Sequence, residues 1–208
     1  MESKDYHFIT HWRVRSTQEE AYDIFTNARD LARWWPSVYL DVQVLEDGDA
    51  NGKGEVVSLY TKGWLPYTLR WTFRVTEVEK PRGCTIVATG DFVGRGIWTF
   101  EQDGPWVNIT YDWKIQAEKP LLRKLSFLLK PIFAANHRWA MAKGNESLVL
   151  ELARRHAATD AELRSIPAPP GPTRALPTAG LISAALIAAA ALGYLMWKAL
   201  SSSRNRFA

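Results

Sequence analysis

Residues 54–116 read GEVVSLYTKGWLPYTLRWTFRVTEVEKPRGCTIVATGDFVGRGIWTFEQDGPWVNITYDWKIQ, and nearly all of this stretch has the pattern of strand. Breaks at Leu65-Pro66, Pro81-Arg82-Gly83, Val93-Gly94 and Asp103-Gly104-Pro105 divide it into five strand-length runs. Two runs alternate cleanly. Leu69, Trp71, Phe73 and Val75 oppose Arg70, Thr72, Arg74 and Thr76, while Val107, Ile109, Tyr111, Trp113 and Ile115 oppose Asn108, Thr110, Asp112 and Lys114. A period of two with one apolar face is the signature of a half-buried strand. The runs therefore predict successive antiparallel strands whose inner face is rich in aromatic rings.

Working outward, Tyr6, Phe8, Thr10, Trp12 and Val14 alternate with polar or less apolar neighbours and predict an N-terminal strand. Ser16 and Thr17 precede Glu19 and Glu20 at capping-box spacing. Ala21, Ile24, Phe25, Ala28, Leu31, Ala32 and Trp35 then recur at helical spacing up to Pro36, and residues 37–54 carry a short strand-like segment ending in a Gly, Asn and Asp turn. Beyond Pro120 a long helical region, broken or kinked at Pro131, is predicted from about Ile132 to Arg155. Phe133, His137, Ala140, Met141, Gly144, Leu148 and Leu152 share one stripe of it. Strands segregated from helices give an α+β class, an antiparallel sheet packed on helices at one face.

Charge divides the chain. Of 26 Lys plus Arg and 22 Asp plus Glu, residues 1–160 hold 21 of each sign, so the net +4 belongs wholly to the remainder. A nucleic-acid-binding domain carries a basic patch or stripe on its fold, and without a basic excess nucleic acid is not an expected partner. The single cysteine, Cys84, excludes an internal disulfide and a thiolate metal site, and its strand-like context reads as a small buried hydrophobe. His7 and His11 lie about 13 Å apart at strand rise, with no third ligand nearby, so no metal and no cofactor are expected.

Residues 165–177, SIPAPPGPTRALP, hold five of the 11 prolines, and residues 175–197 carry no charge. The expected organisation is a ligand-binding domain at 1–160, an extended, semi-rigid Pro-rich linker at 161–177, a transmembrane helix at 178–198 and a short basic tail at 199–208. Tyr194 and Trp197 at an interfacial level and Lys198, Arg204 and Arg206 beyond favour the membrane reading over an Ala-rich buried helix. The first twenty residues show no secretory apolar run, which with the anchor at the C-terminal side places the domain in the cytosol. The charge bias across the span leans the other way.

The element order, with RWWPSVY (33–39) closing the first helix, GRGIWTFEQDGPWVNITYDWKI (94–115) in the late strands and LLKPIFAANHRWAMAKGNESL (128–148) after them, resembles the START-related, helix-grip superfamily (SRPBCC). The likeness covers residues 5–156 and is nearest to the group named polyketide cyclase/dehydrase and lipid transport. The resemblance implies a curved antiparallel sheet around a long C-terminal helix, with an apolar cavity between them for lipids, polyketides, quinones or other hydrophobic molecules. It brings no shared catalytic motif, so cavity residues are assigned by position. These are Trp35, Trp71, Phe73, Arg95, Trp98, Tyr111, Trp113, Phe133, His137 and Met141.

For any single aromatic residue core is the safer reading, and only the architecture tilts the set toward a cavity. His137 is the candidate acid/base, set against a histidine satisfied by a neighbouring strand, because no carboxylate shares its stripe within a turn; Asn136 and Arg138 flank it on other faces. Arg95, between Gly94 and Gly96, suits a carboxylate or phosphate headgroup, or is an exposed strand-end arginine. Asp91 and Asp112 are assigned no catalytic role. Three functions remain open: a membrane-tethered module that binds and transfers a hydrophobic molecule or lipid; a cyclase, aromatase or dehydrase-type enzyme with His137 as acid/base and Arg95 or Tyr111 holding an oxyanion; and a protein-interaction adaptor whose cavity is vestigial.

Overall fold

A computed structural model of the chain describes residues 5–117 and 126–173. Seven strands form one antiparallel sheet: β1 (Asp5–Arg15), β2 (Tyr39–Glu46), β3 (Val56–Lys62), β4 (Thr68–Glu79), β5 (Gly83–Gly90), β6 (Phe92–Asp103) and β7 (Trp106–Ala117). Their spatial order is β1-β7-β6-β5-β4-β3-β2. Strands β2 to β7 are thus a meander, and β1 closes it by pairing along its length with β7, from Asp5 opposite Gln116 to Arg15 opposite Trp106. The helices are α1 (Gln18–Thr26), α2 (Leu31–Trp34), α3 (Ser126–His156) and α4 (Asp160–Ser165), with a 3-10 turn at Ala28–Asp30.

Local chemistry explains where elements start and stop. Thr17 caps α1, its hydroxyl accepting from the Glu20 amide at 3.2 Å, while the Ser16 hydroxyl donates to the Glu20 carboxylate at 2.8 Å. The helical pattern over 18–35 is split at Asn27, whose side-chain amide donates to Asp30; the periodicity continues because both pieces turn the same face to the core. The turn expected at Val93-Gly94 lies instead at Gly90-Asp91. Gly90 has φ +111, a conformation that suits glycine, and Asp91 accepts from the Arg70 amide. Gly94 and Gly96 are interior to β6. A Cβ at Gly96 would sit 2.8 Å from the Tyr111 hydroxyl and from the Trp113 ring, so the strand is bare there to admit its neighbour's aromatics.

Helix α3 runs through Pro131 instead of beginning after it. It crosses the face on which Trp12, Val14, Val57, Leu59, Phe73, Ile109 and Trp113 are buried with Leu148 and Leu152. Residues 161–173, expected as part of an extended, semi-rigid linker, lie partly against the fold. Five of them complete α4, capped by Thr159, and the prolines that follow lie against the domain, where Arg154 donates to the Pro167 carbonyl and Thr173 bonds to Gly63 and Lys62. The expected transmembrane helix at 178–198, the rest of the linker and the tail lie outside the described residues. Among the described residues no helix is long and apolar enough to cross a membrane.

Candidate functional site

Between the sheet and the first half of α3 lies a cavity of about 150 Å³, walled by Tyr6 and Phe8 from β1, Trp71 from β4, Tyr111, Trp113 and Ile115 from β7, and Phe133, His137 and Met141 from α3. A second chamber of about 80 Å³ continues it toward Phe73, Trp98 and Cys84. Trp35, Tyr39, Trp71 and Tyr111 line both and form the partition. The alternation of β1, β4 and β7 delivers these rings, since every second residue points to the concave face.

The partition is built of rings that hold one another. Tyr111 stacks on Trp98 at 3.9 Å and lies 5.5 Å from Trp113, and Trp71 stands 5.8 Å from both Trp113 and Phe92. The Trp71 indole donates to the Thr61 hydroxyl at 3.0 Å. Trp35 is clamped from α3: a Cβ at Gly144 would stand 2.2 Å from its Cζ2, so only glycine lets helix and indole meet this closely.

Three polar atoms in this apolar wall have no hydrogen-bond partner among the described residues: the Tyr6 hydroxyl, the Trp35 Nε1 and the His137 Nε2. An unpaired buried polar group costs roughly 1–3 kcal/mol, and all three belong to residues lining the larger chamber. The imidazole of His137 stacks on Phe8 at 4.3 Å. Burial, and then the nearby Arg138, depress its pKa to about 4, so it is neutral at physiological pH. Burial also pushes the Tyr67 phenol up to about 12 and those of Tyr6, Tyr39 and Tyr111 above their ordinary value, with Tyr39 a further contributor at Tyr111. These phenols are hydrogen-bonding groups and not anions. Among the described residues Lys62 is the one formal charge lining the larger chamber, and its ammonium donates to the Thr173 carbonyl at 2.6 Å. The smaller chamber has Glu55, raised in pKa chiefly by burial.

The ten residues assigned by position do not all converge. Trp35, Trp71, Tyr111, Trp113, Phe133, His137 and Met141 line the larger chamber, and Phe73 and Trp98 the smaller. Arg95 does not line either. It lies on the outer face of β6, half-exposed and paired with Glu77 at 3.1 Å, because Gly96 and not Arg95 has the inward parity. It therefore cannot hold an oxyanion inside the cavity. Asp112 also faces outward, bonded to His7 at 2.9 Å. Cys84 is unpaired, and burial pushes its thiol up to about 12, so it is not a nucleophile. No group of three or more metal-ligating side chains occurs among the described residues.

The residues missing from the sequence-based set include Tyr6, Phe8, Tyr39, Lys62, Tyr67 and Asn136. Tyr6 and Phe8 share inward parity with Trp12, a signal present in the sequence. Asn136 belongs to the cavity wall, and its Oδ1 accepts from the amides of Trp64 and Leu65 at 2.9 and 3.2 Å, an arrangement that only the folded β3–β4 loop reveals.

The profile of the family described as polyketide cyclase / dehydrase and lipid transport matches residues 8–142. Among solved structures, the protein TTHA0849 from Thermus thermophilus aligns with a TM-score of 0.58 at 16% identity over 71% of this chain and 99% of its own. The Zhui aromatase/cyclase from Streptomyces sp. R1128 aligns with a TM-score of 0.58 at 17% identity over 74% and 97%. Ms6760 from Mycobacterium smegmatis gives 0.51 at 14% identity over 72% and 92%. At such identities the likeness is one of fold. No curated protein matches the chain significantly in sequence.

Proposed function

Because the chain belongs to the polyketide cyclase/dehydrase and lipid transport family, we propose that it is a membrane-tethered module that binds and transfers a neutral, oxygen-bearing hydrophobic molecule. The observation that carries this reading is the trio of unpartnered polar atoms on Tyr6, Trp35 and His137 in a wall otherwise made of apolar surface. A carbonyl or hydroxyl oxygen that reaches one of them would pair a group that the protein leaves unpaired, while the rings take up the apolar body. The one cation lining the chamber, Lys62, is turned to the Thr173 carbonyl, so a fatty acid carboxylate would have to compete for its remaining donors. Size narrows the class further: a cavity of about 150 Å³ accepts roughly one aromatic ring, so a quinone-like or cyclic polyketone headgroup fits, and a longer molecule needs the partition to shift. The uncharged stretch 175–197 supports the tether and would keep the cavity near the phase in which such molecules dissolve.

The test is a fluorescence titration of the full chain in nanodiscs with the single-ring probe 2,6-dimethyl-1,4-benzoquinone, which quenches the indoles that line its site. Saturable quenching is expected, with Tyr6→Phe weakening it about tenfold, the worth of one hydrogen bond, and with dodecanoate failing to compete. Quenching that never saturates, or equal affinity in Tyr6→Phe, overturns the reading.

A second reading, an enzyme of the cyclase or dehydrase type, has one observation in its favour: His137 lines the cavity and its buried Nε2 has no partner among the described residues. Its depressed pKa makes it a weak base, and no carboxylate among the described residues orients it. Turnover of a poly-keto substrate that His137→Ala abolishes would establish this reading over the first.

A further inference from the structure

The Pro-rich segment is a strap. From the Arg154 contact at Pro167 it runs six residues to Thr173, a span of up to about 19 Å at polyproline rise. There the Thr173 hydroxyl donates to the Gly63 carbonyl at 3.1 Å and its carbonyl accepts from Lys62 at 2.6 Å. Lys62 and Gly63 line the larger chamber. The strap therefore leads to the cavity wall and not away from the far end of α3.

This changes what the linker can do. A free spacer over residues 161–177 would reach up to about 60 Å, enough for the domain to tumble away from its attachment. With Thr173 fixed, only Arg174–Pro177 separate the fold from the expected span, about 18 Å at full extension. Such a short connection would keep the β3–β4 loop near the lipid surface. That loop carries Trp64, 42% exposed, and beside it α3 carries Ile132, 40% exposed. The loop is rigidly pinned, because Asn136 accepts from two successive amides and a Cβ at Gly63 would fall 2.2 Å from the Asn136 Oδ1. Indole and branched aliphatic side chains are favourable at the headgroup boundary. Tyr67 and Phe133, both cavity liners, stand only half-buried at the same end, whereas Trp35 and Trp113 at the inner end are buried.

We propose that Trp64 and Ile132 form a bilayer-docking rim, and that the strap 166–173 holds the cavity entrance beside the membrane. This rests on the tethered reading above. A ligand would then pass between lipid and cavity without crossing bulk water.

The test uses the full chain in a Cys84→Ala background, reconstituted in phosphatidylcholine/phosphatidylglycerol vesicles containing doxyl-labelled lipid. A nitrobenzoxadiazole probe is placed in turn at Trp64→Cys, Ile132→Cys, Leu45→Cys and Val149→Cys, the last two being exposed apolar positions away from the rim. Probes at 64 and 132 are expected to be quenched at least threefold more than those at 45 and 149. A twelve-residue Gly-Ser insertion between Thr173 and Arg174, which keeps every strap contact, should halve that difference or more. Vesicle flotation with equal quenching at all four positions overturns the docking rim alone. Unchanged quenching after the insertion overturns the role of the strap, and a chain that fails to float overturns the tethered reading and the rim with it.

Discussion

From Met141 to Leu152, α3 is packed hard against the fold. Met141, Gly144, Ser147, Leu148, Glu151 and Leu152 are all buried, at helical spacing, and Gly144 lets Trp35 touch the helix backbone. From Pro131 to Ala140 the same helix has no buried residue, and Phe133, Asn136, His137 and Ala140 are half-buried around open volume. One half grips and the other spans. The difference teaches that stability and ligand space are divided along a single helix, so a substitution in one half need not disturb the other.

The largest test of that division is Leu148→Ala, which removes a side chain with no exposure. Truncating such a leucine costs about 3 kcal/mol, and for a chain of this size the midpoint should fall by about 6–12 °C. Phe133→Ala, in the spanning half, should cost under about 1 kcal/mol despite removing a larger side chain, because it already borders a cavity. Thermal unfolding followed by circular dichroism reads both, and similar losses would break the comparison.

Next in size is Glu151, whose carboxylate is 4% exposed. It accepts two bonds from Arg33, both at 2.8 Å, and one from Arg155 at 3.0 Å. Burial alone would raise its pKa, but the bonds from Arg33 and Arg155 outweigh it, and the net direction is down. Its folded pKa therefore lies below the unfolded value. The stability it contributes is present above the unfolded value and is lost as pH falls through the folded one. Glu151→Gln should cost about 2 kcal/mol at pH 7, less than for a fully buried pair because Arg33 is half-exposed. The gap between the urea midpoints of the two proteins should shrink as pH falls, and a gap that stays constant from pH 7 to 3 would refute the assignment.

The gripping half was the more legible in sequence for a physical reason. The stripe Phe133, His137, Ala140, Met141, Gly144, Leu148, Leu152 and the alternation in β4 and β7 record which face is inward, and burial follows that record. Periodicity cannot say whether an inward face meets other atoms or empty space, so Phe133 and Leu148 look alike. Arg95 was misplaced because two flanking glycines resemble a loop, when they relieve crowding from Tyr111 and Trp113 across a strand pair. The partnerless atoms of Tyr6 and Trp35 were not legible at all, since an absent hydrogen bond is a property of three-dimensional surroundings. The strap was hidden for the same reason: proline composition suggests extension, and extension is compatible with lying along a surface.

The smallest effect concerns the spanning half itself. With its pKa lowered from 6.5 to about 4 by burial and by Arg138, His137 is neutral in the folded protein over a range in which the unfolded chain is already protonated. As pH falls from about 6.5 toward 4, the unfolded state takes up the proton first, so this contribution to stability is progressively lost in that window and is flat below it. The half-buried ring limits the loss to about 1 kcal/mol at pH 5. His137→Phe should remove this slope while leaving the acid transition of Glu151 in place, and it should not lower stability at pH 7, because it also removes an unpartnered nitrogen. Urea midpoints between pH 7 and 5 measure it. A ligand hydroxyl that donates to Nε2 of the neutral ring would leave this slope unchanged between pH 7 and 5, where the folded ring already carries no proton, and would extend the loss of stability to lower pH by holding the folded pKa down further.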